Sequence, residues 1–81
     1  MAAIRDAADY ERCLLTILQA LGGRASRGTV LREFDRRYRS SIPGDLQAGR
    51  PPRWEHLLDS ARARLVRRRV LFGDADLWEL P

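Results

Sequence analysis

A chain of 81 residues with 44% hydrophobic residues and two each of Trp, Tyr and Phe has material for one small core, which excludes a second domain and a disordered chain. Its basic residues number fifteen, all Arg, against eleven acidic ones, a formal net charge of +4, so nucleic acid or another acidic partner is favoured over a cationic one. The single Cys, at position 13, excludes an internal disulfide and, beside Leu14, Leu15 and Ile17, reads as a small buried apolar side chain in a reducing compartment.

Along the chain, Tyr10, Leu14, Ile17, Leu18 and Leu21 recur at helical spacing and Gly22-Gly23 follows, which predicts a first helix over about 6–21. Ser26 is a candidate N-cap for a second helix, 27–39, with Val30, Leu31, Phe34 and Tyr38 on its apolar side. That region is basic: six Arg against Glu33 and Asp35 give residues 23–39 a charge of +4. Residues 40–52 mix Ser, Pro and Gly without a sustained period and read as a connection, with room for one helical turn near Asp45 to Gln47. Trp54, Leu57, Leu58, Ala61 and Leu65 then make one apolar stripe after Pro52, a third helix over 53–69. Val70 to Phe72, the turn Gly73-Asp74-Ala75-Asp76 and Leu77 to Leu80 read as strand, tight turn and strand, a hairpin over 70–80. A lone hairpin is marginal in water, so its apolar side must lie on the helices.

The expected fold is therefore mainly α with a small β-hairpin in one domain, 1–81. Three helices followed by a two-stranded wing resemble a winged helix-turn-helix. Tyr10-Glu11 opening helix one with Leu14, Leu18 and Leu21 behind it, a long second connection, Trp54, Ala61-Arg62, Leu65 and a hairpin ending Leu77-Trp78-Glu79-Leu80 resemble the N-terminal winged-helix domain of Mrr-like restriction endonucleases. That resemblance implies DNA binding, a setting in restriction-modification and a separate nuclease domain attached to this one. The turn departs from the pattern, because Gly73, Asp74, Ala75 and Asp76 stand where basic residues beside a Gly are common. Two carboxylates aimed at phosphates are repelled, so this wing is not expected in a groove.

At 100° per residue from Trp54, the third helix buries one side, carries Glu55 and Asp59 on one shoulder and leaves the opposite shoulder free of acid. A helix entering the major groove needs donors for guanine edges and phosphates, small residues for close approach, and no carboxylate facing the backbone. Arg53, His56, Ser60, Arg64 and Arg67 meet that description, and Arg27, Arg32 and Arg36 from helix two with Arg50 in the connection are candidate phosphate clamps. Arg67, Arg68 and Arg69 also complement a helix C-terminus without any ligand. The crowding of Arg64 and Arg68 at i, i+4 is easier to understand with a polyanion present. A surface for protein docking or dimerisation, using the acidic wing or the first helix, is the alternative, with a second copy of the chain as partner.

No chemistry is expected. Metal-dependent nuclease sites need clustered carboxylates, commonly with a Lys, and the chain has none of the latter. One His and one Cys cannot build a tetrahedral zinc site, and no glycine-rich phosphate loop or nucleophile setting is present. The chain is thus expected to be no enzyme and to take no metal or cofactor. The acidic N-terminal region and the short apolar runs predict a cytoplasmic protein without a signal peptide or membrane span.

Overall fold

The computed structural model describes residues 3–81. The elements run α1 (Ala7–Ala20), β1 (Arg24–Ser26), α2 (Arg27–Tyr38), two single turns of 3-10 helix (Arg39–Ser41 and Gly44–Leu46), α3 (Arg53–Arg67), β2 (Phe72–Gly73) and β3 (Leu77–Glu79). The molecule is mainly helical with a small antiparallel sheet, and among the described residues no helix is long and apolar enough to cross a membrane.

Helices α1 and α2 begin where the sequence satisfies the first free amides. Asp9 Oδ2 accepts from the Asp6 amide at 3.1 Å, and Ser26 Oγ accepts from the Thr29 amide at 3.3 Å to start α2. Helix α1 ends on Gly22 and Gly23, both at positive φ (88° and 90°). The Gly23 amide reaches back to the Leu18 carbonyl at 2.7 Å and that of Gly22 to Gln19 at 3.2 Å, the crossed pair of bonds that closes a helix through a left-handed residue.

Helix α3 ends the same way without a glycine. Val70 N donates to the Leu65 carbonyl at 2.9 Å and Arg69 N to Val66 at 3.0 Å, and among the described residues Arg69 is the one non-glycine at positive φ, 59°. The helix expected to reach residue 69 therefore stops at Arg67. The reversed chain drops Leu71 into the core, fully buried, so Val70 and Leu71 do not extend the strand and β2 is only Phe72–Gly73.

The hairpin is not alone. β1 pairs antiparallel with β3, Arg24 opposite Glu79, Ala25 opposite Trp78 and Ser26 opposite Leu77, and β3 lies between β1 and β2. The expected two-stranded wing is thus part of a three-stranded sheet. Gly73 sits opposite Trp78 at φ +108°, where an added Cβ would lie 2.0 Å from the Leu77 carbonyl oxygen; only glycine allows that approach.

Between the helices and the sheet lies one core. Tyr10, Leu14, Ile17 and Leu18 of α1, Val30 and Phe34 of α2, Trp54, Leu58, Ala61 and Leu65 of α3, and Leu71 and Trp78 from the C-terminal segment belong to it. Phe34 stacks between Tyr10 (centroids 5.5 Å apart) and Trp54 (5.0 Å), each pair adding about 0.5–1.5 kcal/mol beyond the area buried. Cys13 is buried as its neighbours suggest, and burial pushes its thiol up from the ordinary value.

The end of α3 carries a direct test. Arg69 occupies the left-handed position that α1 fills with Gly22, where a side chain costs about 1–2 kcal/mol, partly offset by the extra unfolded freedom of glycine. Arg69→Gly is expected to stabilise the domain by about 0.5–1 kcal/mol, a rise of a few degrees in thermal midpoint. A melt followed by circular dichroism measures it, and a fall in midpoint would contradict the strain assigned to this residue.

Candidate nucleic-acid interface

Trp54, Leu58, Ala61 and Leu65 are buried, and that one stripe fixes how α3 is rolled. Every other side chain on the helix then has a set direction. The acidic shoulder turns toward the start of α2. There Arg27 gives Asp59 a two-pronged bond, Nε to Oδ1 at 3.0 Å and Nη2 to Oδ2 at 2.8 Å, and its Nη2 lies 3.8 Å from Glu55 Oε1. The hydrogen bond that Arg27 donates to Asp59 holds its guanidinium above the ordinary pKa. Glu55 and Asp59 thus face a cation of the same chain instead of open solvent.

The opposite shoulder turns toward α1. Arg64 Nε donates to Glu11 Oε2 at 3.0 Å, and Arg68 Nη1 lies 3.0 Å from Glu11 Oε1. The crowding of Arg64 and Arg68 therefore has an intramolecular counter-ion. Glu11 lies 53 residues before Arg64, and no local spacing announces the meeting.

Between these two clamped shoulders runs an open strip. Arg53, His56, Ser60 and Arg67 are all exposed, and among the described residues none of them is ion-paired to a carboxylate. At 100° per residue they fall within about 60° of one another, with Ala63 beside them. The cationic ends of the strip and its small, neutral middle are the arrangement that the groove requirements describe.

The proposed clamps from α2 divide. Arg27 is engaged as above, and Arg36 shares Glu33 with Arg37, so a phosphate must displace a carboxylate to gain either fork. Arg39 is likewise closed on Asp35 by bonds of 3.0 and 2.8 Å. Arg32 bonds only the Thr29 hydroxyl, at 3.3 Å, and Arg50 is exposed without a carboxylate partner among the described residues. Arg32 also lines a shallow cleft of about 330 Å³ with Leu31, Asp35 and Trp54.

The acidic turn of the hairpin has an internal explanation. Asp74 Oδ1 accepts from the amides of Asp76 and Leu77, both at 2.8 Å, and these bonds lower the Asp74 pKa. An Asp doing this is a turn former. The hairpin is held by Asp76, whose carbonyl accepts from the Arg27 amide at 2.8 Å, and by Arg62, whose guanidinium lies 5.8 Å from the Trp78 ring centroid.

No family model, curated protein or solved structure matches the chain. The reading of this surface rests on its charge and geometry.

The paired carboxylates of this surface set a pH dependence. Hydrogen bonds from Arg36 and then Arg37 hold Glu33 at about 2, well below its ordinary 4.5, and backbone hydrogen bonds lower Asp9 and Asp74 in the same direction. A carboxylate depressed in the folded state stabilises it above the ordinary value, and that stabilisation is lost as pH falls through the folded value. The denaturation midpoint is therefore expected to fall between about pH 4.5 and 2. Glu33→Gln should give a shallower fall over that window in urea titrations followed by circular dichroism. An equally steep fall would remove Glu33 from the cause.

Proposed function

We propose that the chain is a winged helix-turn-helix module that binds double-stranded DNA, with α3 in the major groove and Arg32 and Arg50 on flanking phosphates. The observation that carries this reading is the exposed strip Arg53, His56, Ser60 and Arg67, whose neighbours on both sides are already matched by carboxylates or guanidinium groups of the same chain. From Arg53 to Arg67 the helix rises about 21 Å, enough for its ends to meet phosphates while the centre lies over base edges. Ser60 and Ala63 permit close approach there, and His56 and Ser60 supply hydrogen bonds to bases. Three helices followed by a hairpin support the winged-helix assignment. The short acidic wing, with Asp74 committed to its own turn, stays off the duplex in this reading.

The resemblance to Mrr-like restriction endonucleases extends the proposal to a setting in restriction-modification, a cytoplasmic location and an attached nuclease domain as the source of any catalysis. Binding is the activity proposed for the residues described here. A second reading, docking of a protein or of another copy of the chain on the wing, has one observation in its favour. Phe72, 42% exposed, stands on the outer strand next to Gly73 and the acidic Asp74 and Asp76.

Titration of a labelled duplex at several salt concentrations tests both. Neutralising four or five phosphates makes log K fall with log salt at a slope of about −4. Arg53→Ala and Arg67→Ala are each expected to weaken binding several-fold and to make the slope shallower by about one. Asp74→Ala, which disturbs a turn outside the open strip in this reading, should leave affinity nearly unchanged. No binding at low salt, or no salt dependence, overturns the DNA reading. Self-association in sedimentation that disappears in Phe72→Ser supports the second reading in its place.

A further inference from the structure

The geometry points to Glu11 on α1 as a positioning residue for the DNA surface: it holds Arg64 by one edge so that the other edge is presented to a backbone phosphate. This inference rests on the DNA-binding reading of α3.

It comes from a difference among the paired arginines. Arg27 and Arg39 each give both Nε and Nη2 to one carboxylate, Asp59 and Asp35 respectively. Arg36 does the same with Glu33. Each of these pairs closes the side-on fork of the guanidinium on a single acid. Arg64 gives Glu11 only its Nε, while the other oxygen of Glu11 faces Arg68; Arg37 likewise gives Glu33 only its Nε, but it lies on α2, away from the open strip. The end-on fork of Arg64, Nη1 and Nη2, has no acceptor among the described residues.

That fork is the part of the side chain that matches two oxygens of a phosphate. The Arg64 side chain is 36% exposed and Glu11 only 15%, so the carboxylate stands behind the guanidinium. Arg64 follows Ser60 by one helical turn and precedes Arg67 by three residues, which puts it on the α1 side of the open strip. An unrestrained Arg loses much rotamer freedom when it is ordered on a ligand. A side chain already fixed at Nε loses less, which is the advantage of a pre-organised site. Arg68 offsets the charge of Glu11, so Glu11, Arg64 and Arg68 together remain cationic.

The opposite role is equally concrete. If Glu11 competed with phosphate for Arg64, its removal would tighten binding. Three substitutions separate the two roles. Glu11→Gln keeps an oxygen that accepts from Nε and removes the charge. Glu11→Asp keeps the charge and shortens the reach, and Glu11→Ala removes both. Duplex affinity is read by fluorescence anisotropy at one salt concentration, with circular dichroism to establish that each variant is folded. Glu11→Ala and Glu11→Asp are expected to bind about fivefold more weakly than the parent, Glu11→Gln within about twofold, and Glu11→Ala should cause no further loss once Arg64 is Ala.

Unchanged or tighter binding by Glu11→Ala overturns the positioning role. So does a loss that persists in full in the Arg64→Ala background, since a merely structural contribution would be additive. Arg53→Ala and Arg67→Ala keep the two readings apart. If these weaken binding and the Glu11 variants do not, the positioning role alone fails. If neither set of variants weakens binding, or the parent protein does not bind duplex, the DNA reading fails with it.

Discussion

Phe34 lies between the rings of Tyr10 and Trp54, so one side chain of α2 couples α1 to α3. Around it, Leu58, Ala61 and Leu65 continue the buried stripe of α3. Rolling α3 by even one residue, 100°, would expose Trp54 and bury a charge, which costs far more than a surface contact returns. The packing thus dictates where each charged residue of the helix points. Glu55 and Asp59 must meet α2, and Arg64 must meet α1.

From that constraint follows the charge pattern of the surface. A formal charge of +4 says little about where an anion would settle, because most carboxylates are matched locally. Glu33 holds two arginines, Asp35 a third, Asp59 and Glu55 a fourth, and Glu11 two more. Exposed pairs of this kind contribute little to stability. They cancel the field over the shoulders and leave the cations of the central strip unmatched. Pairing, more than net charge, sets where the unmatched cations lie.

Much of the fold was legible in the sequence because it is written locally. Helix spacing in 10–21 and 54–65, the Ser26 cap and the Gly22-Gly23 stop all act within a few residues of where they are read. β1 was not legible. Arg24-Ala25-Ser26 has neither apolar alternation nor β-branched residues, and it is a strand only because Trp78 and its neighbours come back to pair with it. Arg69 hid the end of α3, since a helix stop is recognised by glycine and this one has none. The open strip of the candidate site was readable from angular position alone. The partners of Arg27 and Arg64 lie 32 and 53 residues away, and only the tertiary packing brings them together.

The acidity of the hairpin turn has a cause in folding. Asp74 sits where a side-chain oxygen must accept two turn amides, and Gly73 sits where the Leu77 carbonyl leaves no space for a Cβ. Both residues are therefore fixed by the tightness of the hairpin. That tightness follows in turn from Leu71, which must reach the core immediately after α3 reverses at Arg69 and leaves only two residues for β2. A hairpin so short has no arm to extend, whatever its charge. Asp76 and Phe72 are not constrained in this way, because both are exposed and the turn amides are satisfied by the Asp74 carboxylate. At these two positions the side chain is free to change without disturbing the hairpin.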